Sequence, residues 1–255
     1  MRERLNTTDD LSSVTNENGR IDRNPAAVLW DMDGTLIDTE PLWHRAEAEI
    51  AHEHEADWST ADALASTGQA IQKCAARLKE RGVAGQIDQI VLDLSNRVEA
   101  SVRRGDAQWM PGALDVLRLL SREGIPVALV TNSFRALAST VSEKVPDRPF
   151  RVIVAWDDVS VGKPDPASYL KAAATLAVDP SECVAIEDTE TGAIAAAAAG
   201  LRVIVAPGVQ PVPPAEHRSR IRSLIDVDID LLRSVTGGAV VDHLDPVPSA
   251  GEANN

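Results

Sequence analysis

The stretch Val28–Glu40 reads VLWDMDGTLIDTE, and its reading decides the fold. Val28, Leu29 and Trp30 form an apolar run that meets Asp31 directly, with Asp33 and Asp38 close behind. Carboxylates repel one another and are depleted from strand interiors. An apolar strand driven into a cluster of acids is therefore one whose tip carries chemistry.

Working outward, similar runs recur near Val130 (PVALVTN), Ile153 (FRVIVA), Ile186 (CVAIED) and Ile204 (LRVIVA). Each is short, apolar and partly β-branched, as strands buried on both faces of a parallel sheet are. Helical patterns lie between the later runs. GALDVLRLLSREG ends at Gly124, DPASYLKAAATLAV starts after a proline, and TETGAIAAAAAG closes on Gly200. Strand and helix in alternation predict a doubly wound, Rossmann-like α/β core with a parallel sheet. From His44 to Gln108 the alternation fails and helical stretches dominate, among them LWHRAEAEIAHEHE and IDQIVLDLSNRVEASVRR. The expected organisation is a core of residues 25–43 and 109–236 with an α-helical cap of residues 44–108 inserted. A disordered N-terminal tail, 1–24, and a flexible C-terminal tail, 237–255, complete it.

Composition narrows the function. The chain has 255 residues and is 44% hydrophobic but only 3% aromatic, so its core is built from Ala, Val, Leu and Ile. A net charge of −14 argues against general binding to nucleic acid or to an anionic membrane. Cys74 and Cys183 have no metal-site spacing and read as reduced core thiols. No apolar leader or membrane span is legible, and the expected location is the cytoplasm.

In an open α/β sheet, ligands sit at the carboxyl ends of the strands. Asp31 and Asp33 follow the first strand, and Thr131, Asn132 and Ser133 follow the second. The third leads to GKPDP with Lys163, and the fourth ends in Glu187 and Asp188. Carboxylates converging on one edge need a cation, and hard oxygen ligands suit Mg²⁺. The lysine and the hydroxyl then suit an anion beside the metal, and phosphate fits best because it bridges metal and donors. Asp31 and Asp33 must divide the labour: one ionised to attack, one protonated to donate.

In this order, DMDGTLIDTE, VTNS, GKPDP and IEDTETG resemble the four motifs of the haloacid dehalogenase superfamily, and the helical insertion resembles its small cap. DTEPLW is similar to the sugar- and polyol-phosphate phosphatases of that superfamily. The resemblance implies Asp31 as nucleophile and Asp33 as general acid and then base. It implies Mg²⁺ on Asp31, the Asp33 carbonyl and Asp188, with Glu187 acting through water. Phosphate would be held by Thr131, the Asn132 amide and Lys163, which neutralises charge, while Gly34 permits the turn after the acids. The expected activity is Mg²⁺-dependent hydrolysis of a small phosphate ester through an aspartyl-phosphate. A sugar phosphomutase related to β-phosphoglucomutase is the main rival. It is disfavoured because the cap stretch ASTGQAIQKCAARL has no Arg beside Gly68, although Lys73 and Arg77 follow. A non-catalytic relative of the fold is disfavoured by the joint presence of Asp31, Asp33, Lys163 and Asp188. His52 and His54 read as a solvated face rather than a metal tract, and Asp38 and Glu40 as caps of the next helix.

Overall fold

A computed structural model describes Val14–Thr15 and residues 21–244. Strands β1 (Val14–Thr15) and β2 (Ile21–Asp22) pair antiparallel ahead of the core. The rest of the N-terminal tail expected from the sequence lies outside the described residues, as does the C-terminal end beyond Leu244. The core opens with β3 (Ala27–Trp30) and β4 (Ile37–Asp38). Four helices follow: α1 (Glu40–Glu53), α2 (Thr60–Ser66), α3 (Ile71–Glu80) and α4 (Ile87–Arg104). Next come β5 (Gln108–Trp109), α5 (Ala113–Arg122), β6 (Val127–Val130), α6 (Arg135–Lys144) and β7 (Phe150–Val154). The chain then runs through α7 (Ala167–Leu176), β8 (Cys183–Glu187), α8 (Glu190–Ala198), β9 (Arg202–Val205), β10 (Arg218–Arg220) and α9 (Ile229–Thr236).

Six strands form one parallel sheet in the order β10-β9-β8-β3-β6-β7. The chain leaves β3 towards β6 and β7, then returns to the other side of β3 with β8. The carboxyl end of β3 is thus the point where strand order reverses, the place where open α/β sheets bind their ligands. Side chains alternate across the sheet as the two-residue period requires. Val28, Trp30 and Ile186 join one buried cluster, while Ala27, Leu29 and Ala185 join the cluster on the opposite face. Every residue of β3, β6 and β8 is buried, which is why these segments show continuous apolar runs instead of alternation.

The five runs legible in sequence are β3, β6, β7, β8 and β9. The sixth strand, β10, was not: it reads Arg-Ser-Arg and no propensity marks it. Tertiary partners hold it. Arg220 is 1% exposed, pairs with Asp242 at 2.7 Å and donates to the Val212 carbonyl at 3.1 Å. Arg218 donates to the Pro213 carbonyl at 2.8 Å. Val241 and His243 exchange backbone hydrogen bonds with Arg220, so paired backbone continues past Gly237, where the sequence suggests a tail.

The four helices α1–α4 sit between β4 and β5, which pair antiparallel and bring the departing and returning chain together. Helix α4 packs on α6 of the core, where Arg103 and Glu99 both meet the Thr140 hydroxyl. The N-cap of α1 is Thr39, not Asp38 or Glu40; Glu40 begins the helix and Pro41 follows. Cys74 and Cys183 are buried free thiols, and His52 and His54 are exposed. No helix among the described residues is long and apolar enough to cross a membrane.

Candidate active site

The register places the acids. Trp30 lies opposite Ile186 on β8 and Leu129 on β6, so Asp31 emerges beside Glu187 and Val130. Its backbone N–H donates to the Ile186 carbonyl at 3.0 Å, the last rung before the strands part. Lys163 enters from the loop between β7 and α7 and is 8% exposed. Its Nζ donates to Asp31 Oδ1 at 2.6 Å, Glu187 Oε1 at 2.5 Å and the Val130 carbonyl at 2.9 Å. Burial works against the charge on Lys163, but the two carboxylates outweigh it and raise its pKa. The amine therefore stays protonated.

The Asn132 side chain fixes that loop. Its Oδ1 accepts from the Lys163 backbone N–H at 2.9 Å, and its Nδ2 donates to the Lys163 carbonyl at 3.2 Å. Asn132, expected to hold phosphate, thus commits its side-chain amide to Lys163. Among the described residues, the backbone N–H groups of Asp33 and Asn132 have no acceptor and are available to an anion.

Asp33 occupies a different environment. Its Oδ1 accepts from Thr39 at 2.6 Å, and its Oδ2 from Ser133 at 2.8 Å and Thr131 at 3.2 Å. Burial, then the charge on Asp31, raises its pKa against the pull of the three hydroxyls. Thr131, expected on the phosphate, directs its hydroxyl at Asp33 and accepts from the Ser133 backbone N–H at 2.9 Å. Thr39 spends its hydroxyl on Asp33 instead of capping α1, which has no side-chain cap.

A third group gathers on the other side of Asp31. Thr35 Oγ1 lies 3.0 Å from both Asp31 Oδ2 and Asp188 Oδ1. Gly34 holds φ at +80°, and a Cβ there would stand 2.4 Å from Asp188 Oδ2, so only glycine fits. Gly208 closes the opposite wall, where a Cβ would lie 2.6 Å from the Asp188 carbonyl oxygen. Glu187 is fully buried at the carboxyl end of β8; its Oε1 also accepts from Tyr169 at 2.5 Å. Burial, followed by the charge on Asp31, pushes the pKa of Glu187 up to about 7 and that of Asp188 up to about 8.

The donor set fits a hard cation. One oxygen each from Asp31, Glu187 and Asp188 lie within 4.8 Å of one another. Four acids (Asp31, Asp33, Glu187, Asp188) face one lysine, and burial first, then the charge on Asp31, raises the pKa of the other three. Of the metal candidates, Glu187 already receives donors on Oε1, whereas Asp31 Oδ2 and Asp188 Oδ1 share only Thr35.

All seven residues singled out in the sequence therefore meet at one strand edge. Sequence reasoning gave no role to Thr35, Thr39 or Ser133, although all three lie in or beside the motifs. It had no signal for Tyr169 or Gly208, which act only through contacts made by the fold.

A family model for haloacid dehalogenase-like hydrolase matches residues 25–200. Hexitol phosphatase B of Escherichia coli (strain K12) is 31% identical, over 84% of this chain and 96% of its own. The bifunctional riboflavin kinase/FMN phosphatase of Arabidopsis thaliana is 30% identical over 80% of this chain, which spans 55% of that protein's length. Among solved structures, CbbY from Rhodobacter sphaeroides in complex with phosphate aligns with a TM-score of 0.69 at 30% identity, covering 79% of this chain and 96% of its own. With the motifs, sheet order and acid cluster in agreement with these similarities, the chain belongs to the haloacid dehalogenase-like hydrolase family.

Proposed function

We propose that this hydrolase is a Mg²⁺-dependent phosphatase that cleaves a sugar or polyol phosphate through an aspartyl-phosphate on Asp31, with α1–α4 as its cap. The supporting observation is the contrast between two neighbouring acids. Asp31 is paired with the buried Lys163 ammonium at 2.6 Å, which sets a positive charge beside the attacking oxygens. Asp33 is held by hydroxyls alone and has a raised pKa, which favours its protonated form. Nucleophile and acid are thereby separated although only one residue lies between them.

In the first step the Asp31 carboxylate attacks phosphorus and the ester P–O bond breaks. Asp33 gives its proton to the departing oxygen. In the second step Asp33, now a carboxylate, takes a proton from water as that water attacks phosphorus, and the Asp31–phosphate bond breaks to release inorganic phosphate. Lys163 offsets charge on Asp31 and the phosphoryl group throughout, and the backbone N–H groups of Asp33 and Asn132 receive phosphoryl oxygens. Mg²⁺, held by Asp31, Asp188 and the Asp33 carbonyl, would neutralise the phosphoryl oxygens. Glu187 serves by holding Lys163 in place. Similarity to a hexitol phosphatase supports the substrate class.

The test is phosphate release from an aryl phosphate and from a panel of sugar and polyol phosphates with Mg²⁺. Turnover is expected, with loss of at least 10³-fold in Asp31→Asn. Full activity in that variant would overturn the nucleophile assignment.

A further inference from the structure

Helix α1 carries a polar stripe that the phosphoryl chemistry does not use. Glu40, His44 and Glu47 follow at the i, i+4, i+7 spacing that places them on one face. The stripe begins at the active site, where Glu40 is close enough to feel the charge of Asp33, and leads away from it along the helix. His44 Nε2 bridges Glu40 Oε1 at 3.1 Å and Thr67 Oγ1 at 2.9 Å. At its far end Glu47 is 3% exposed, and its Oε2 has no hydrogen-bond partner. Cys74 of α3 lies against Glu47 and donates its thiol to the Ser66 carbonyl at 3.6 Å. Ser66 is itself 5% exposed, and its hydroxyl is likewise without a partner.

Two unpaired buried polar atoms in one small region are a rarity, because a buried polar group that nothing meets is costly. The missing partner has a definable chemistry. It must donate to a carboxyl oxygen or accept from a protonated one, and it can donate to or accept from a serine hydroxyl. A second anion is disfavoured there, because the charge on Glu40 already acts on Glu47, with Arg77 as the cation beside it. Arg77 is partly committed, donating to the Asp62 carbonyl at 3.2 Å. A neutral alcohol satisfies every condition.

We propose that Glu47, backed by Ser66, is a specificity residue that recognises a hydroxyl of the substrate's carbon chain remote from the phosphate, which selects polyol phosphates over bisphosphates and carboxylated phosphoesters. The assignment rests on the phosphatase reading above. The phosphate is fixed at Asp31 and Lys163, and the Glu40–His44–Glu47 stripe gives the chain of hydroxyls its direction. Because binding energy remote from the reacting bond orients the substrate, the effect is specific to substrates long enough to reach Glu47.

The experiment compares kcat/KM for a hexitol phosphate, a hexose bisphosphate and an aryl phosphate in wild type, Glu47→Gln, Glu47→Leu and Ser66→Ala. Melting temperatures establish that each variant is folded. The ratio of hexitol phosphate to aryl phosphate is expected to fall at least tenfold in Glu47→Leu, mainly through KM, and less in Glu47→Gln, which keeps a carbonyl acceptor. The bisphosphate should be a poor substrate for wild type and gain on the hexitol phosphate in Glu47→Gln. Equal loss on all substrates, or an unchanged ratio in folded variants, overturns the assignment and leaves the phosphatase reading standing. A wild type that cleaves none of the three overturns both.

Discussion

Gly192 offers the sharpest test of how the site is packed, because two effects of one methyl group oppose each other. Gly192 lies in the first turn of α8, and its φ is not positive, so alanine would ordinarily stabilise the helix by about 1 kcal/mol. A Cβ at this position, however, would stand 2.1 Å from the Glu187 carboxyl carbon and from each of its oxygens. Ordinary contact begins at 3.4 Å, so the carboxylate must retreat by more than 1 Å. It has no room to do so unaided: it is fully buried and takes Lys163 and Tyr169 on one oxygen, at 2.5 Å each. Hydrogen bonds to charged groups are worth roughly 1.5–3 kcal/mol each. Losing both while gaining the helix term leaves Gly192→Ala about 2–5 kcal/mol less stable. For a chain of this size that is a fall in Tm of roughly 5–15 °C, measurable by calorimetry. Phosphatase activity should fall with it, since Lys163 loses one of the carboxylates that hold it on Asp31. A variant as stable as wild type, or more stable, with full activity would show that Glu187 does not need the space, and the packing argument would fail.

Three further outcomes follow from the geometry. Thr39→Val removes a 2.6 Å hydrogen bond that lowers the pKa of Asp33, so the acid should stay protonated to higher pH and the basic limb of the kcat/KM profile should move up; a profile that moves down or stays put contradicts the role of Asp33. Because the pKa of Asp188 is pushed up to about 8 without a cation, Mg²⁺ must displace a proton below that pH, and the rise in Tm on adding Mg²⁺ should grow from pH 6 to pH 8.5; a pH-independent rise would remove Asp188 from the ligand set. Burial, then the charge on Glu40, pushes the pKa of Glu47 up to about 8 from 4.5, so the folded state holds this proton more tightly than the unfolded state. Stability is then lost as pH rises from about 4.5 through 8, and Glu47→Gln should gain on wild type over that window by up to roughly 4 kcal/mol in denaturant titrations, with little difference at pH 4.

The sequence by itself determined the family and the scaffold, and it marked the acids that the scaffold presents. Five buried parallel strands are legible because a strand covered on both faces is apolar throughout, and the acids at their ends stand out against that background. Asp31, Asp33, Glu187 and Asp188 were legible for the same reason: charge directly beyond an apolar run is costly unless it is used, whereas Lys163, in the loop after β7, was legible only through the motif GKPDP. What each polar group touches was not legible. Thr131 faces Asp33, Asn132 clamps the Lys163 backbone, and Thr39 leaves its helix to reach an acid, all choices made by side-chain geometry across elements distant in sequence. Strand β10 escaped notice because buried arginines paired to Asp242 and loop carbonyls hold it, while its own sequence shows only polarity. Tyr169 and Glu47 belong to the same class: each reads as an ordinary helical residue until the fold sets a carboxylate against it or, for Glu47, leaves one oxygen without a partner. Periodicity reports which face of an element is buried; only packing decides which atom it is buried against.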